Sequence, residues 1–281
     1  MDVKLACMTL PYAAHPFERA LEGIARAGYR YVAFGTPHRN ASVVDPEDQA
    51  SVERVRELLT RFGLEPAMLL AHAQMHHTEP VEGALQQIRL AHALGIPEVN
   101  ALGFWGYHRF PDEPLSAEEY ETNSREFAAF FARLAQEAER LGVVVSLKPH
   151  TGNTATAKLL RGTVDAIGSP SVKACYDPGN ISYYEGLDPL PGFESVVPLL
   201  ASFIAKDHET GLRRYAFPVP GEGDMPFAAM FRQMAEAGFS GPVVVEKLDG
   251  DGTPLPLEEL DRRVARARTN LERLLVQASE T

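Results

Sequence analysis

Apolar positions along the chain follow two alternating rhythms. Short runs dense in β-branched and aliphatic residues give way to longer stretches where apolar residues recur every three or four positions. The first run is KLACMTL (4–10). In the FERALEGIARAG stretch after it, Phe17, Leu21, Ile24 and Ala25 share one helical face, and Gly28 is a natural stop. RYVAFG (30–35) precedes a predicted helix from Pro46 to Gly63, with Asp45 as its cap and Pro46 in the first helical position. PAMLLAH (66–72) leads to a helix from Val81 to Gly95. PEVNALG (97–103) leads to a long one from Ser116 to Gly142, where Ser116 and Glu119 form a capping box. The series continues with VVVSLK (143–148) and a helix over 154–168, then VKACYD (172–177) and a short helix near 192–200. ASFIAK (201–206) with 225–238, and PVVVEK (242–247) with 257–277, complete it.

These are eight strand–helix units. Continuously apolar strands such as VVVSL and VVVE are expected when both faces are buried, and the alternation predicts a parallel sheet. Eight units close naturally into a single (β/α)8 barrel spanning residues 1–281, a length that suits that fold as one domain. The rival is an open doubly wound sheet, which would carry a GxGxxG turn after an early strand, and the sequence has none. A net charge of −11 disfavours phosphate-backbone contact, so no nucleic-acid partner is expected. No apolar run approaches the ~20 residues of a membrane span. Cys7 and Cys175 lie inside apolar runs and are expected to be buried, free thiols. The N-terminus has no basic segment leading into a long apolar stretch, so no secretory signal is expected and the expected location is cytoplasmic.

In such a barrel, chemistry sits at the C-terminal ends of the strands and in the loops that follow. Eight of the nine histidines fall in or beside these segments, and only His92 falls in a predicted helix. The second half of the chain is sharper. Strand five ends in Lys148, with His150 two residues on and pointing the same way if the strand continues. Strand six ends in Asp177 with Asn180 in the next turn, strand seven in Lys206-Asp207-His208, and strand eight in Glu246-Lys247. These ends converge in a closed barrel, where Lys148 and Lys206 can neutralise Asp177 and Glu246. The bland alternative is an ion-pair ring that only closes the mouth. Two loops add candidate ligand contacts. PVPGEGDMPF (218–227) carries Glu222 and Asp224, and GFWGYHRF (103–110) sets Trp105 and Tyr107 beside His108. His72 ends the third predicted strand.

KPHTGNTAT after strand five, YDPGN after strand six, AKDH after strand seven, then PGEGDMPF and AGFSGPVVVEK make a series. In this order it resembles the xylose isomerase-like barrel superfamily of sugar and sugar-phosphate isomerases and epimerases. The resemblance spans nearly the whole chain. It implies a carbohydrate substrate and is compatible with a homodimer. It also implies one divalent metal (Mn, Zn or Mg) held by a Glu on strand five, an Asp on strand six, a His on strand seven and a Glu on strand eight. Asp177 and Glu246 match this set. Lys148 stands where the strand-five Glu would be, and Ile204 where the His would be.

Several readings follow. In the first, Lys148 replaces the metal and stabilises an enediolate-like oxyanion. Glu246 is then the general base, and His150 or His208 relays the proton. In the second, a rearranged metal site uses His150, Asp177, His208 and Glu246. The third is Schiff-base chemistry on Lys148 or Lys206. Asn180, Trp105, His108, His72 and Glu222 are the candidate substrate contacts. The activity implied is isomerisation or epimerisation. The alternatives are a keto-sugar lyase or hydratase, or a barrel that binds a sugar without turning it over.

Overall fold

A computed structural model describes residues 1–280. Eight parallel strands close into a barrel: β1 (Asp2–Met8), β2 (Tyr31–Phe34), β3 (Glu65–Leu70), β4 (Glu98–Leu102), β5 (Val144–Lys148), β6 (Val172–Tyr176), β7 (Leu200–Ala205) and β8 (Ser240–Val245). The seam is continuous, with β1 paired in register to β8 from Asp2↔Ser240 to Cys7↔Val245. Around it run α1 (Phe17–Arg26), α2 (Gln49–Phe62), α3 (Val81–Leu94), α4 (Ala117–Leu141), α5 (Ala157–Ile167), the one-turn α6 (Phe193–Val196), α7 (Phe227–Glu236) and α8 (Leu257–Ser279). No helix among the described residues is long and apolar enough to cross a membrane. The predicted (β/α)8 order is therefore present, with strand bounds displaced by one or two residues.

One helix start differs from expectation. Asp45 does not cap α2. Its carboxylate accepts from the Glu47 amide to make a tight turn, and Asp48 caps the helix by accepting from Ala50 N at 2.9 Å. The predicted box at Ser116 and Glu119 is present on α4. A two-stranded antiparallel ribbon, Tyr107–Arg109 with Glu113–Pro114, was not predicted; it rises from the loop after β4.

Apolar packing divides into two cores. The large one lies between strands and helices and holds Val99, Val145, Phe203 and Val243 against Phe127, Phe131, Met230 and Val264. A small one fills the barrel itself: Ala6, Met8, Ala33, Met68, Leu70, Cys175, Ile204 and Val244. Both cysteines are buried and free, as expected. Because side chains alternate along a strand, the outward packing of Val99, Ala101, Val145 and Leu147 turns Glu98, Asn100, Ser146 and Lys148 inward. The barrel interior is thus apolar beside β1–β3 and polar beside β4 and β5, with Ser202 of β7 joining the polar side below Ile204.

Candidate active site

The four ionisable strand ends do meet. Lys148 Nζ lies 2.5 Å from Glu246 Oε2 and 3.2 Å from Asp177 Oδ2. Lys206 Nζ lies 3.0 Å from the same Asp177 oxygen and 2.7 Å from Glu246 Oε1. Two ammonium groups and two carboxylates thus alternate in a closed, charge-balanced quartet, and all four side chains are buried. Pairing of this kind is what makes buried charge tolerable. The turn after β6 completes it. Asp177 Oδ1 accepts from Asn180 N, Asn180 Oδ1 accepts from Lys206 Nζ at 2.7 Å, and Asn180 Nδ2 donates to Pro149 O. Gly179 is required here, because a Cβ would lie 2.6 Å from the Lys206 carbonyl oxygen and 2.7 Å from its Cγ.

The lysines are not equivalent. Three acceptors surround Lys206 Nζ, matching its three N–H donors, whereas two surround Lys148 Nζ. Lys148 is therefore the less fully surrounded ammonium of the two. Burial lowers the affinity of this ammonium for its proton, but the Glu246 and Asp177 charges outweigh burial and raise its pKa above the usual lysine range. An amine so held has no lone pair for a Schiff base. For Glu246 burial acts upward, and the Lys148 and Lys206 charges overcome it to hold the carboxyl well below the usual range.

Above the quartet opens a cavity of about 310 Å³. Lys148, Lys206, Glu246, Asn180, His72 and His150 supply much of its polar wall, and Tyr183, Tyr184, Tyr215, Phe217, Leu70 and Leu102 much of its apolar wall. Burial, reinforced by Lys148, lowers His72 to about 4. Burial, with Lys148 and then Lys206, lowers His150 to about 3. Both rings are therefore neutral at pH 7. His150 packs 4.5 Å from the Tyr184 ring and 5.3 Å from Trp105, which is 39% exposed and touches the cavity only through His150 and Tyr184.

Other expected contacts lie elsewhere. His208 is sealed beneath the loop, with Nε2 donating to Arg214 O at 2.7 Å and Nδ1 bonded to Ser182 Oγ at 2.8 Å, so it neither lines the cavity nor faces the quartet. Its neighbour Asp207 accepts from the amides of His208, Gly221, Gly223 and Met225 and so anchors the PGEGDM loop. Glu222, on that loop, turns away to pair with Arg266 of α8 at 2.7 Å. His108 is exposed and bonded to Glu119 on the outer ribbon. Each has found a local partner, which loop polarity alone does not foretell. Sequence reasoning missed Tyr183, Tyr184, Tyr215 and Phe217. Tyr183 and Tyr184 come from a short π-helix (Ile181–Glu185) and Tyr215 and Phe217 from a loop, and only the aromatic pair soon after YDPGN hinted at the first two.

The donor set at the mouth does not fit a divalent metal. Each centre-facing oxygen of Asp177 and Glu246 already receives an ammonium, and a dication placed there would meet two like charges. Of the two replacement ligands, His208 is committed to Ser182 and Arg214, which leaves the rearranged set without it. Among the described residues, no group of three or more His, Cys, Asp or Glu side chains is arranged to hold a metal ion.

A closed α/β barrel with its polar groups gathered at the C-terminal strand ends is the class that fold and site define. Within that class, the chain belongs to the xylose isomerase-like TIM barrel family, whose profile matches residues 21–274. No curated protein matches the sequence significantly. Among solved structures, a D-allulose 3-epimerase from Methylomonas sp. is 18% identical, with 98% of each chain covered and a TM-score of 0.74. A D-psicose 3-epimerase from Clostridium cellulolyticum H10 is 14% identical over 97% of this chain and 99% of that one, with a TM-score of 0.77. An L-ribulose 3-epimerase is 17% identical over 99% and 96%, with a TM-score of 0.73. At these identities the likeness is one of fold.

Proposed function

We propose that this chain is a sugar or sugar-phosphate isomerase or epimerase that moves a proton next to a carbonyl, with the Lys148 ammonium in the place of a metal. The observation that carries this reading is the Lys148 ammonium, which has fewer acceptors around it than Lys206 and so has an N–H to offer, lining a cavity that also holds two neutral imidazoles. A ketose whose carbonyl oxygen accepts that N–H would have an adjacent C–H bond within the same cavity. As a histidine takes the proton, the C–H electrons form the enediolate double bond and the carbonyl π pair moves onto oxygen. That oxygen already has a desolvated cation beside it, which is worth more here than in water. Return of the proton to the other face of the same carbon epimerises, and return to the neighbouring carbon isomerises. Each Glu246 oxygen is already occupied by an ammonium group, so its part is to hold the lysines.

The barrel neighbours support the reading: three are ketose 3-epimerases by description. His72 follows β3 and His150 follows β5, so two proton-transfer groups enter from separate strands, as epimerisation needs. The test is solvent exchange. The protein, treated with chelator, is incubated in D2O with a panel of ketoses and ketose phosphates, and loss of the proton next to the carbonyl is followed by NMR. Exchange that persists in chelator and is abolished in Lys148→Met is expected. Exchange that appears only when Mn, Mg or Zn is added would overturn the lysine-for-metal reading, and no exchange with any sugar would overturn the enzyme reading.

A further inference from the structure

Beneath the quartet runs a second buried polar chain that the proposed reaction leaves unused. Glu98 opens β4 and is 3% exposed. Ser202 Oγ donates to it at 2.6 Å, and the Ser146 hydroxyl acts on it from the neighbouring strand, lowering its proton affinity. Asn100, two residues along the same inward face, donates through Nδ2 to Ser146 Oγ at 2.8 Å, and its Oδ1 lies 2.9 Å from His72 Nε2. The chain therefore starts at the closed end of the barrel and finishes on a residue of the cavity wall.

Donor chemistry gives this chain a direction. An amide nitrogen only donates, so Ser146 Oγ accepts from Asn100 and its own hydrogen is free for Glu98. An amide oxygen only accepts, so His72 Nε2 carries the hydrogen. In a neutral ring the lone pair then resides on Nδ1, the ring nitrogen left for a ligand. The opposite setting needs every link reversed: an Asn100 amide turned over, Ser146 donating to it, and a hydrogen on Glu98 pointing at Ser146. An ionised Glu98 offers only acceptors and forbids that setting. Protons do not travel along this chain, because an amide cannot accept at nitrogen and release at oxygen in its ordinary form. It sets orientation.

We propose that Glu98 is a positioning residue which, through Ser146 and Asn100, fixes His72 as the Nε2–H tautomer and leaves Nδ1 as the proton acceptor of the cavity. The acceptor role rests on the proposed proton transfer, whereas the tautomer does not. His150 has no comparable support, being held by ring packing against Tyr184 and Trp105.

The test uses the full chain with 15N-labelled histidine at pH 8, where Glu98 is ionised. Long-range 15N–1H correlation reads which ring nitrogen of His72 carries hydrogen, with the resonance assigned by its loss in His72→Gln. The expected wild-type pattern is hydrogen on Nε2. Glu98→Gln, whose amide can donate to Ser146, is expected to move part or all of the hydrogen to Nδ1. Ser146→Ala, which cuts the chain and leaves Glu98 in place, is expected to give a mixture. Hydrogen on Nδ1 in the wild type, or one unchanged tautomer in both folded variants, overturns the proposal. These outcomes need no substrate, so they stand apart from failure of the enzyme reading. Where exchange activity is present, Glu98→Gln is expected to lower turnover at unchanged KM, on the order of the 10–100-fold that loss of an outer partner costs at metal-bound histidines.

Discussion

Glu246 and Glu98 are both buried glutamates in one barrel, yet their proton affinities move in opposite directions. Glu246 has Lys148 and Lys206 against it and is driven down. Glu98 has two serine hydroxyls, with Lys173 acting only at a distance, and burial raises it to about 7. Hydroxyls satisfy a carboxylate's lone pairs but do not balance its charge, and desolvation then wins. The mouth thus solves the problem of buried charge by pairing. The floor solves it by holding a carboxyl close to neutrality, where its charge responds to conditions.

Removing a partner from the paired end has the largest expected effect. Lys148→Met leaves two carboxylates sharing one ammonium and is expected to cost about 3–5 kcal/mol of stability, read from the denaturant midpoint. Adding Glu246→Gln restores the charge balance and is expected to recover part of that loss. A double-mutant cycle with no coupling between the two sites would show that the quartet is not one energetic unit.

The two glutamates should also give opposite pH signatures. Glu246 has a folded-state pKa below its unfolded value, so its contribution is present above the ordinary carboxylate range and is lost as pH falls through the folded value. Glu98 has a folded-state pKa above its unfolded value. Between about 4.5 and about 7 the unfolded chain has released this proton while the folded one keeps it, so stability falls as pH rises across that window. At about 1.4 kcal/mol per pH unit, the loss is roughly 3 kcal/mol by neutrality. Glu98→Gln is expected to lose this component, which urea midpoints at several pH values measure. A wild-type slope equal to that of the variant would mean that Glu98 is solvated.

The reach of sequence reasoning divides along the same line. The barrel was legible because two hydrophobic periods alternate eight times. The quartet was legible because Lys148, Asp177, Lys206 and Glu246 each end or follow a strand, where a charge has no apolar role. The floor was not read. Glu98, Asn100, Ser146 and Ser202 lie inside strands from which no site residue was drawn, and the two-residue spacing of Glu98 to Asn100 and of Ser146 to Lys148 was the unused signal. His208, His108 and Glu222 look alike in sequence, as polar loop residues, but inside and outside depend on partners such as Arg214 O, Glu119 and Arg266 that no local pattern supplies.

The smallest expected effect is the most exacting for the comparison. A ligand that binds only the folded state raises thermal stability by RT ln(1 + [L]/Kd), so even weak, specific metal binding shows as a saturable rise in Tm. If the mouth is paired as described, Mn, Mg or Zn must displace an ammonium from between Asp177 and Glu246, and nothing repays that displacement. Tm is therefore expected to be unchanged by each metal. Lys148→Gln vacates one cationic position and leaves a carbonyl oxygen as a donor, and a modest metal-dependent rise is expected there. A rise in the wild type that Asp177→Asn abolishes would mean that the lysines swing out and the quartet is a closed form of a metal site. The contrast between paired mouth and unpaired floor would then hold for only one of two states.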